Sequence, residues 1–423
     1  MEPDDDDKAF VADFSIDYGD EDELENECDD KKFRIFFTTK RLMKTALKSN
    51  KIHADATYKL TWEGVPVLIS GTTDLDRHFH PFGISVCSNE RTEDFKFIFK
   101  ALANSLEKLN LSENLQINTL ISDASYAIRN GFTNVFGDDT MLIMCWAHVR
   151  RNVVKNLHLV AEEFRDDVME DIDSLQLASN KEIFEKASLL FVKKWRTKRQ
   201  YQFTDYMNEM WLSTHQNWYE GIASYTPSQN NALESFNLRI KKEETFRERM
   251  PLSRFLQQSL ESVERWSKEY QSNDKQFISV PSVGLKQWTD GYHWAKSNKI
   301  VTSKILENSV EYYSPVSQET KTTEEQIQTV KEMRWTTFDQ YKKRAFNIWI
   351  VNFPKDTSDM NEKWKEGQCT CPTFLKKFMC KHVIGLSIRL KYVKPPPAAK
   401  QVPIGEKRRR GRPNKATKAL LVD

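Results

Sequence analysis

The chain has 423 residues, 39% apolar and 12% aromatic, which allows a large core and more than one domain and excludes a wholly disordered polypeptide. No apolar run approaches the roughly 18 residues that span a bilayer, and the acidic start does not read as a secretion signal. The net charge of +2 conceals an asymmetry: residues 1–30 hold 15 acidic groups and one Lys, while the rest holds 62 basic and 46 acidic groups.

The acidic head reads as a solvated, disordered tail over 1–30. Residues 31–49 combine a short strand pattern with a helix. Three strand-like runs follow at 52–60, 65–74 and 81–88, separated by turn residues such as Gly64 and Asp74. In 92–110, Phe95, Phe99, Leu102 and Leu106 recur at helical spacing, with Thr92 and Asp94 at the start. A strand at 117–125, a short helix at 125–136 and a strand at 140–149 come next. This order predicts an α/β fold, a mixed sheet covered by helices. From about 148 to 226 the pattern turns helical, with Trp195, Trp211 and Trp218 scattered through it. A further helix is predicted over 228–244. Residues 271–333 are polar and weakly periodic and read as a linker with some helix. FNIWIVNF (346–353) is a strand, and the Pro-, Lys- and Arg-rich end from Lys394 reads as disordered.

Three acids sit where burial is favoured. In IHADATYKL (52–60), strict alternation sets His53, Asp55, Thr57 and Lys59 on one face and Ile52, Ala54 and Ala56 on the other. Asp55 is therefore in mid-strand, where an unpaired carboxylate is costly. Asp123 ends a second apolar strand, and Glu234 lies in a predicted helix. Taken singly, each acid is also compatible with solvent exposure or an ion pair. If the three meet, they repel unless a cation neutralises them. Mg²⁺ suits such oxygen donors, and two ions about 4 Å apart clamp both oxygens of a phosphodiester displacement.

HADATYKL, LISDASYAIRNGF, CWAHVRRNV and NNALESFNLRIKKE resemble, in this order, the catalytic core of Mutator-like element (MULE) transposases. The resemblance implies a ribonuclease-H-like fold over 31–265 with a helical insertion at about 149–226. It also implies an Asp-Asp-Glu triad of Asp55, Asp123 and Glu234 that holds Mg²⁺ or Mn²⁺. Cys145 and His148 form the Cys-x-x-His element of such enzymes, and His148 is a candidate accessory residue near the site. Its alternative is a helix-start histidine beside a core thiol; the pair alone offers too few ligands for zinc. Asn230, Glu234, Asn237 and Lys241 share one helix face. Asn237 and Lys241 are candidate DNA-backbone contacts or, equally, a solvated polar face.

CTCPTFLKKFMCKH (369–382) supplies Cys369, Cys371, Cys380 and His382, a complete tetrahedral set for structural Zn²⁺. Few cysteines overall and one tight cluster favour metal over disulfide. The arrangement resembles a SWIM-type zinc finger, predicted over 335–393 after a linker or helical region at 266–334. In the basic tail, 394–423, Arg410-Gly411-Arg412-Pro413 resembles an AT-hook core. An extended Arg-Gly-Arg strip fits the A·T-rich minor groove; the same run also reads as a nuclear-import signal.

The expected function is a DNA transposase acting on transposon ends and target DNA by metal-dependent phosphodiester hydrolysis and strand transfer. It would work in the nucleus, with no membrane association, as a homo-oligomer. The alternatives are a domesticated, transposase-derived nuclear DNA-binding regulator without catalysis, or an adaptor that binds protein through its zinc module. Because about 50 residues precede Asp55, recognition of DNA ends is expected from the zinc module, the basic tail or the insertion.

Overall fold

Runs of β-branched and aromatic residues in the first third of the chain assemble into one seven-stranded sheet. The computed structural model describes residues 4–17, 32–109, 115–272, 277–317, 321–356 and 362–401; the AT-hook-like Arg410–Pro413 lies outside the described residues. The strands are β1 (Phe10–Asp17), β2 (Lys32–Thr38), β3 (Lys51–Thr57), β4 (Val67–Thr73), β5 (Phe79–Cys87), β6 (Thr119–Ser122) and β7 (Met141–Met144). Their spatial order is β1-β2-β5-β4-β3-β6-β7. Neighbours from β1 through to β3 pair antiparallel. β6 runs parallel to β3, and β7 to β6. The class is mixed α/β, as the order of elements predicts.

The acidic head corrects one expectation. Phe10–Asp17 is not a solvated tail but an edge strand paired with β2. Val11, Phe14 and Ile16 supply strand-forming residues between the acids, a local signal that the composition of 1–30 hides. The head is also tied down just before β1, where Asp7 accepts from Arg41 Nε at 2.6 Å and from Ser267 Oγ at 2.5 Å.

Helices cover both faces. The short α1 (Lys40–Lys44) follows β2 and is capped by the Thr39 side chain. α2 (Thr92–Lys108) and α3 (Tyr126–Phe136) bury Phe95, Phe99, Leu102 and Phe132 against Ile52, Ala54, Leu68 and Phe82 of the sheet. α4 (Trp146–Lys155), α5 (Arg165–Gln176), α6 (Lys181–Thr197) and α7 (Tyr201–Met207) form a helical region in the stretch read from the sequence as an insertion, with a core of its own around Phe191, Trp195, Trp211 and Trp218. The chain then returns as α8 (Asn231–Arg239) and α9 (Leu252–Ser272). These place Leu233, Phe236, Ile240 and Trp266 on the second sheet face, against Val67, Ile69, Ile84 and Val86.

The region read as a linker is structured. It holds α10 (Leu285–Lys296), β8 (Thr302–Ile305), β9 (Ser309–Pro315) and α11 (Glu324–Lys331). After α12 (Phe338–Ala345) come β10 (Ile348–Pro354), β11 (Gln368–Cys369), α13 (Pro372–Lys377) and α14 (Lys381–Arg389). β8 and β9 complete a four-stranded antiparallel sheet, β11-β10-β9-β8, with the strands beside the cysteines. Trp335, Phe338 and Tyr341, assigned by sequence to the zinc module, pack instead into the core of the insertion. No described helix is long and apolar enough to cross a membrane.

Candidate active site and zinc centre

The alternation of β3 delivers two different surfaces. Ile52 and Ala54 enter the core under α2 and α3. His53 and Asp55 face α8, which meets them with two asparagines. Asn230 Oδ1 lies 2.8 Å from His53 Nδ1, and Asn237 Nδ2 donates to Asp55 Oδ2 at 3.0 Å. Helix positions i and i+7 share a face, as do strand positions i and i+2. The two asparagines therefore dock the helix of Glu234 onto the strand of Asp55.

Asn230 also ties in a third element. Its backbone N–H donates to Cys145 Sγ at 3.2 Å, at the start of α4. His53 is fully buried, and burial pushes its pKa down to about 4. The imidazole is thus neutral near pH 7. With Asn230 Oδ1 as acceptor, Nδ1 carries the proton and Nε2 accepts from the Thr73 hydroxyl at 3.1 Å. Beside it Lys51, also buried, donates from Nζ to the Tyr225 carbonyl at 2.6 Å, and burial lowers its pKa to about 8.

Asp55, the first of the three predicted acids, is half-buried on β3. Burial pushes its carboxyl up to about 7, and the negative charges of Asp123 and Glu234 push the same way. Glu90, unnoticed in the sequence, is also raised by burial and by Asp123. Asp123 leaves the end of β6 and accepts the Ser125 N–H at 3.0 Å. Glu234 Oε1 lies 3.7 Å from His148 Nε2. Glu234 Oε1 and His148 Nδ1 are both buried without a hydrogen-bond partner. The Cys-x-x-His pair thus stands at Glu234, and donor atoms of Cys145, His148 and Glu234 all lie within 4.8 Å of one another. Asp55, Asp123 and Glu234 offer oxygen donors of the kind that a hard divalent cation takes, whereas the Cys145, His148 and Glu234 group offers one sulfur, one nitrogen and one oxygen.

The polar face of α8 is used differently from its sequence reading. Asn237 is only 6% exposed and is turned into Asp55, so it is no DNA-backbone contact. Lys241 is half-buried just past α8. A wide cleft of about 1250 Å³ lies behind the same helix, lined by Ser235, Phe236 and Arg239 rather than by Glu234.

The second centre is built at helix starts. Cys371 caps α13 with its side chain, with Pro372 at the first position, and Cys380 stands just before α14, after a left-handed turn at Phe378. Cys369 and Cys380 Sγ lie 3.8 and 3.7 Å from His382 Nδ1, and all four donor atoms fall within 4.8 Å. A zinc tetrahedron with 2.3 Å bonds to sulfur has edges of about 3.8 Å. The backbone N–H groups of Cys371 and Phe374 point at Cys369 and Cys371 Sγ, each at 3.4 Å, as thiolates require. The donor set fits a closed, structural Zn²⁺ site. Trp294 of α10 packs edge-on to His382, which brings α10 into this unit.

Comparison with family models matches residues 51–152 to the MULE transposase domain and residues 363–391 to the SWIM zinc finger. The first match runs from β3 into α4 and includes Asp55, Asp123, Cys145 and His148; Glu234 lies beyond it. No curated protein matches the chain.

Proposed function

We propose that this chain, which carries a MULE transposase domain and a SWIM zinc finger, is a DNA transposase whose Asp55, Asp123 and Glu234 form a divalent-metal catalytic site. One observation carries the reading. Asp55, on the strand, has its carboxyl pushed up to about 7, chiefly by burial, and the charges of Asp123 at a strand end and Glu234 on a helix push the same way. Half-buried carboxylates that repel one another destabilise a fold that has no cation for them. Glu234 Oε1, buried with His148 Nε2 3.7 Å away but no hydrogen bond, supports the same conclusion. The strand sequence β5-β4-β3-β6-β7, three antiparallel and two parallel, supports a ribonuclease-H-like core.

In this reading Asp55 and Asp123 bind from the sheet and Glu234 from α8. Asn237 fixes the rotamer of Asp55 through its amide. His148 stands against Glu234 and orients it. Mg²⁺ or Mn²⁺, when bound, would supply charge neutralisation and an activated water for in-line attack on phosphorus. Hydrolysis at the element's end would free a 3′-OH, which would then attack target DNA. The partners are transposon ends and target DNA, the location is the nucleus, and the chain self-associates. The Arg410–Pro413 strip adds A·T-rich minor-groove binding.

The test is nicking and strand joining on a labelled duplex that carries the element's own flanking end, with Mg²⁺ or Mn²⁺. Wild type should cut and join. Asp55→Asn, Asp123→Asn and Glu234→Gln should do neither while remaining folded. Cleavage retained by Asp55→Asn would overturn the assignment.

A further inference from the structure

Two loops leave the elements that carry Asp55 and Glu234, and they end side by side. The loop after β3 holds Trp62, 66% exposed; the loop beyond α8 holds Phe246, 81% exposed. They are stitched together: Trp62 N–H donates to the Met250 carbonyl at 3.0 Å, and Met250 N–H donates to the Leu60 carbonyl at 3.1 Å. Glu63 accepts the Leu252 N–H at the start of α9.

The Phe246 tip is held in an unfavourable shape. Phe246 and Arg247 are consecutive residues in the left-handed region, at φ 51° and 66°. Such a conformation costs on the order of 1–3 kcal/mol per non-glycine residue and persists only where the surroundings impose it. Here they do. Arg247 N–H donates to the Lys241 carbonyl at 2.7 Å, and Thr245 Oγ1 donates to that carbonyl at 3.0 Å. Next to the tip, the buried carboxylate of Glu244 is held by Arg265 and by Ser262 Oγ. A rigid base thus thrusts a large apolar ring into water, where it contributes nothing to the core.

The charge around the ring is one-sided. Glu243 is tied to Arg239, and Glu244 to Arg265. Lys241, Lys242, Arg247 and Arg249 form no ion pair among the described residues; Lys242 acts at longer range on Glu243, and Glu248 is the other acid of the segment. Exposed aromatic rings on a rigid support among unpaired cations make a stacking platform for nucleobases on a phosphate backbone.

We infer that Trp62 and Phe246 form a base-stacking ridge that binds unstacked nucleotides of DNA beside the catalytic acids. The inference rests on the transposase reading and adds the conformation of its substrate, a duplex locally opened or gapped. From Glu234 to Glu244 the helix rises about 15 Å, roughly four or five base steps. The unstacked nucleotides therefore lie close to the cut.

The test compares binding of the full-length protein to a labelled duplex and to the same duplex with a short single-stranded gap. Wild type should bind the gapped duplex about tenfold more tightly. Phe246→Ala and Trp62→Ala should each remove most of that preference with unchanged melting temperature, and Phe246→Trp should keep it. Lys242→Ala should weaken both duplexes alike and flatten the salt dependence. Equal binding of both duplexes by wild type overturns the ridge and leaves the transposase reading standing. Full preference in the alanine variants also overturns it. Binding of neither duplex removes the transposase reading and the ridge together.

Discussion

Replacing Asp55 by Asn should make the metal-free protein more stable at alkaline pH. A folded-state pKa raised from 3.8 to about 7 means that the native state binds a proton that the unfolded chain releases. Stability then falls as pH rises from about 4 to 7, and the full cost is present above 7. The shift corresponds to about 4 kcal/mol; residual solvent contact at Asp55 brings the expected cost of ionisation to about 2–4 kcal/mol. Asparagine removes that cost and keeps the acceptor for Asn237 Nδ2. In EDTA at about pH 8.5, Asp55→Asn should melt roughly 4–8 °C above wild type by calorimetry. More than half of that gap should close by about pH 5. Added Mn²⁺ should raise the wild-type melting temperature and leave the variant nearly unmoved. If the two proteins melt together in EDTA at high pH, Asp55 is not a desolvated, repelled carboxylate, and the physical basis of the catalytic reading is lost.

Cys380→Ser should lower bound zinc from one ion per chain to near none by elemental mass spectrometry, and should open α13 and α14 to protease while the seven-stranded sheet stays protected. Gly385→Ala should cost about 1–3 kcal/mol in denaturant unfolding, because a Cβ there would stand 2.4 Å from Trp294 Cε3 and 2.8 Å from the Gly291 carbonyl. His53→Leu should cost about 2–4 kcal/mol near neutral pH by leaving Asn230 Oδ1 and the Thr73 hydroxyl unpaired. It should also flatten the acid limb of the stability curve. The wild-type imidazole, with its pKa lowered to about 4, makes the fold lose stability as pH drops from about 6.5 to 4, and leucine cannot protonate.

What the sequence made legible followed from period and spacing. Alternation in 52–60 correctly separated Ile52 and Ala54 from His53 and Asp55 because both sides of β3 are covered by helices. The cysteine cluster was readable because four zinc ligands fall within fourteen residues and need no distant partner. Periodicity failed where structure depends on remote pairing. β8 is short and mostly exposed and β9 is half-exposed over its first four residues, so they carry little apolar signal; β9 is a strand beside β10, and β8 a strand beside β9. Residues 335–346 sit next to the zinc strand in sequence, yet their aromatic rings are claimed by the insertion, whose core is incomplete without Trp335 and Tyr341.

The least legible part of the site was its support. Asn230 and Asn237 lie on the same helix face as Glu234, and polarity at that spacing suggests a surface that meets solvent or phosphate. In the fold both amides are spent inward, on His53 and Asp55, across a sequence separation of more than 170 residues. Each amide satisfies a side chain of β3 in return for its burial, while Asn237 Oδ1 is itself left without a hydrogen-bond partner among the described residues. The consequence is mechanical. A carboxylate on a helix is only as well placed as the helix's register on the sheet, and apolar contacts such as Leu233 and Phe236 tolerate sliding far better than directional bonds do. The two asparagines, joined to Cys145 through the Asn230 N–H, pin that register for Asp55, Glu234 and His148 at once. Loss of either side-chain amide should therefore misplace Glu234, although the only direct bond between them is the backbone one from the Glu234 N–H to the Asn230 carbonyl, at 2.9 Å.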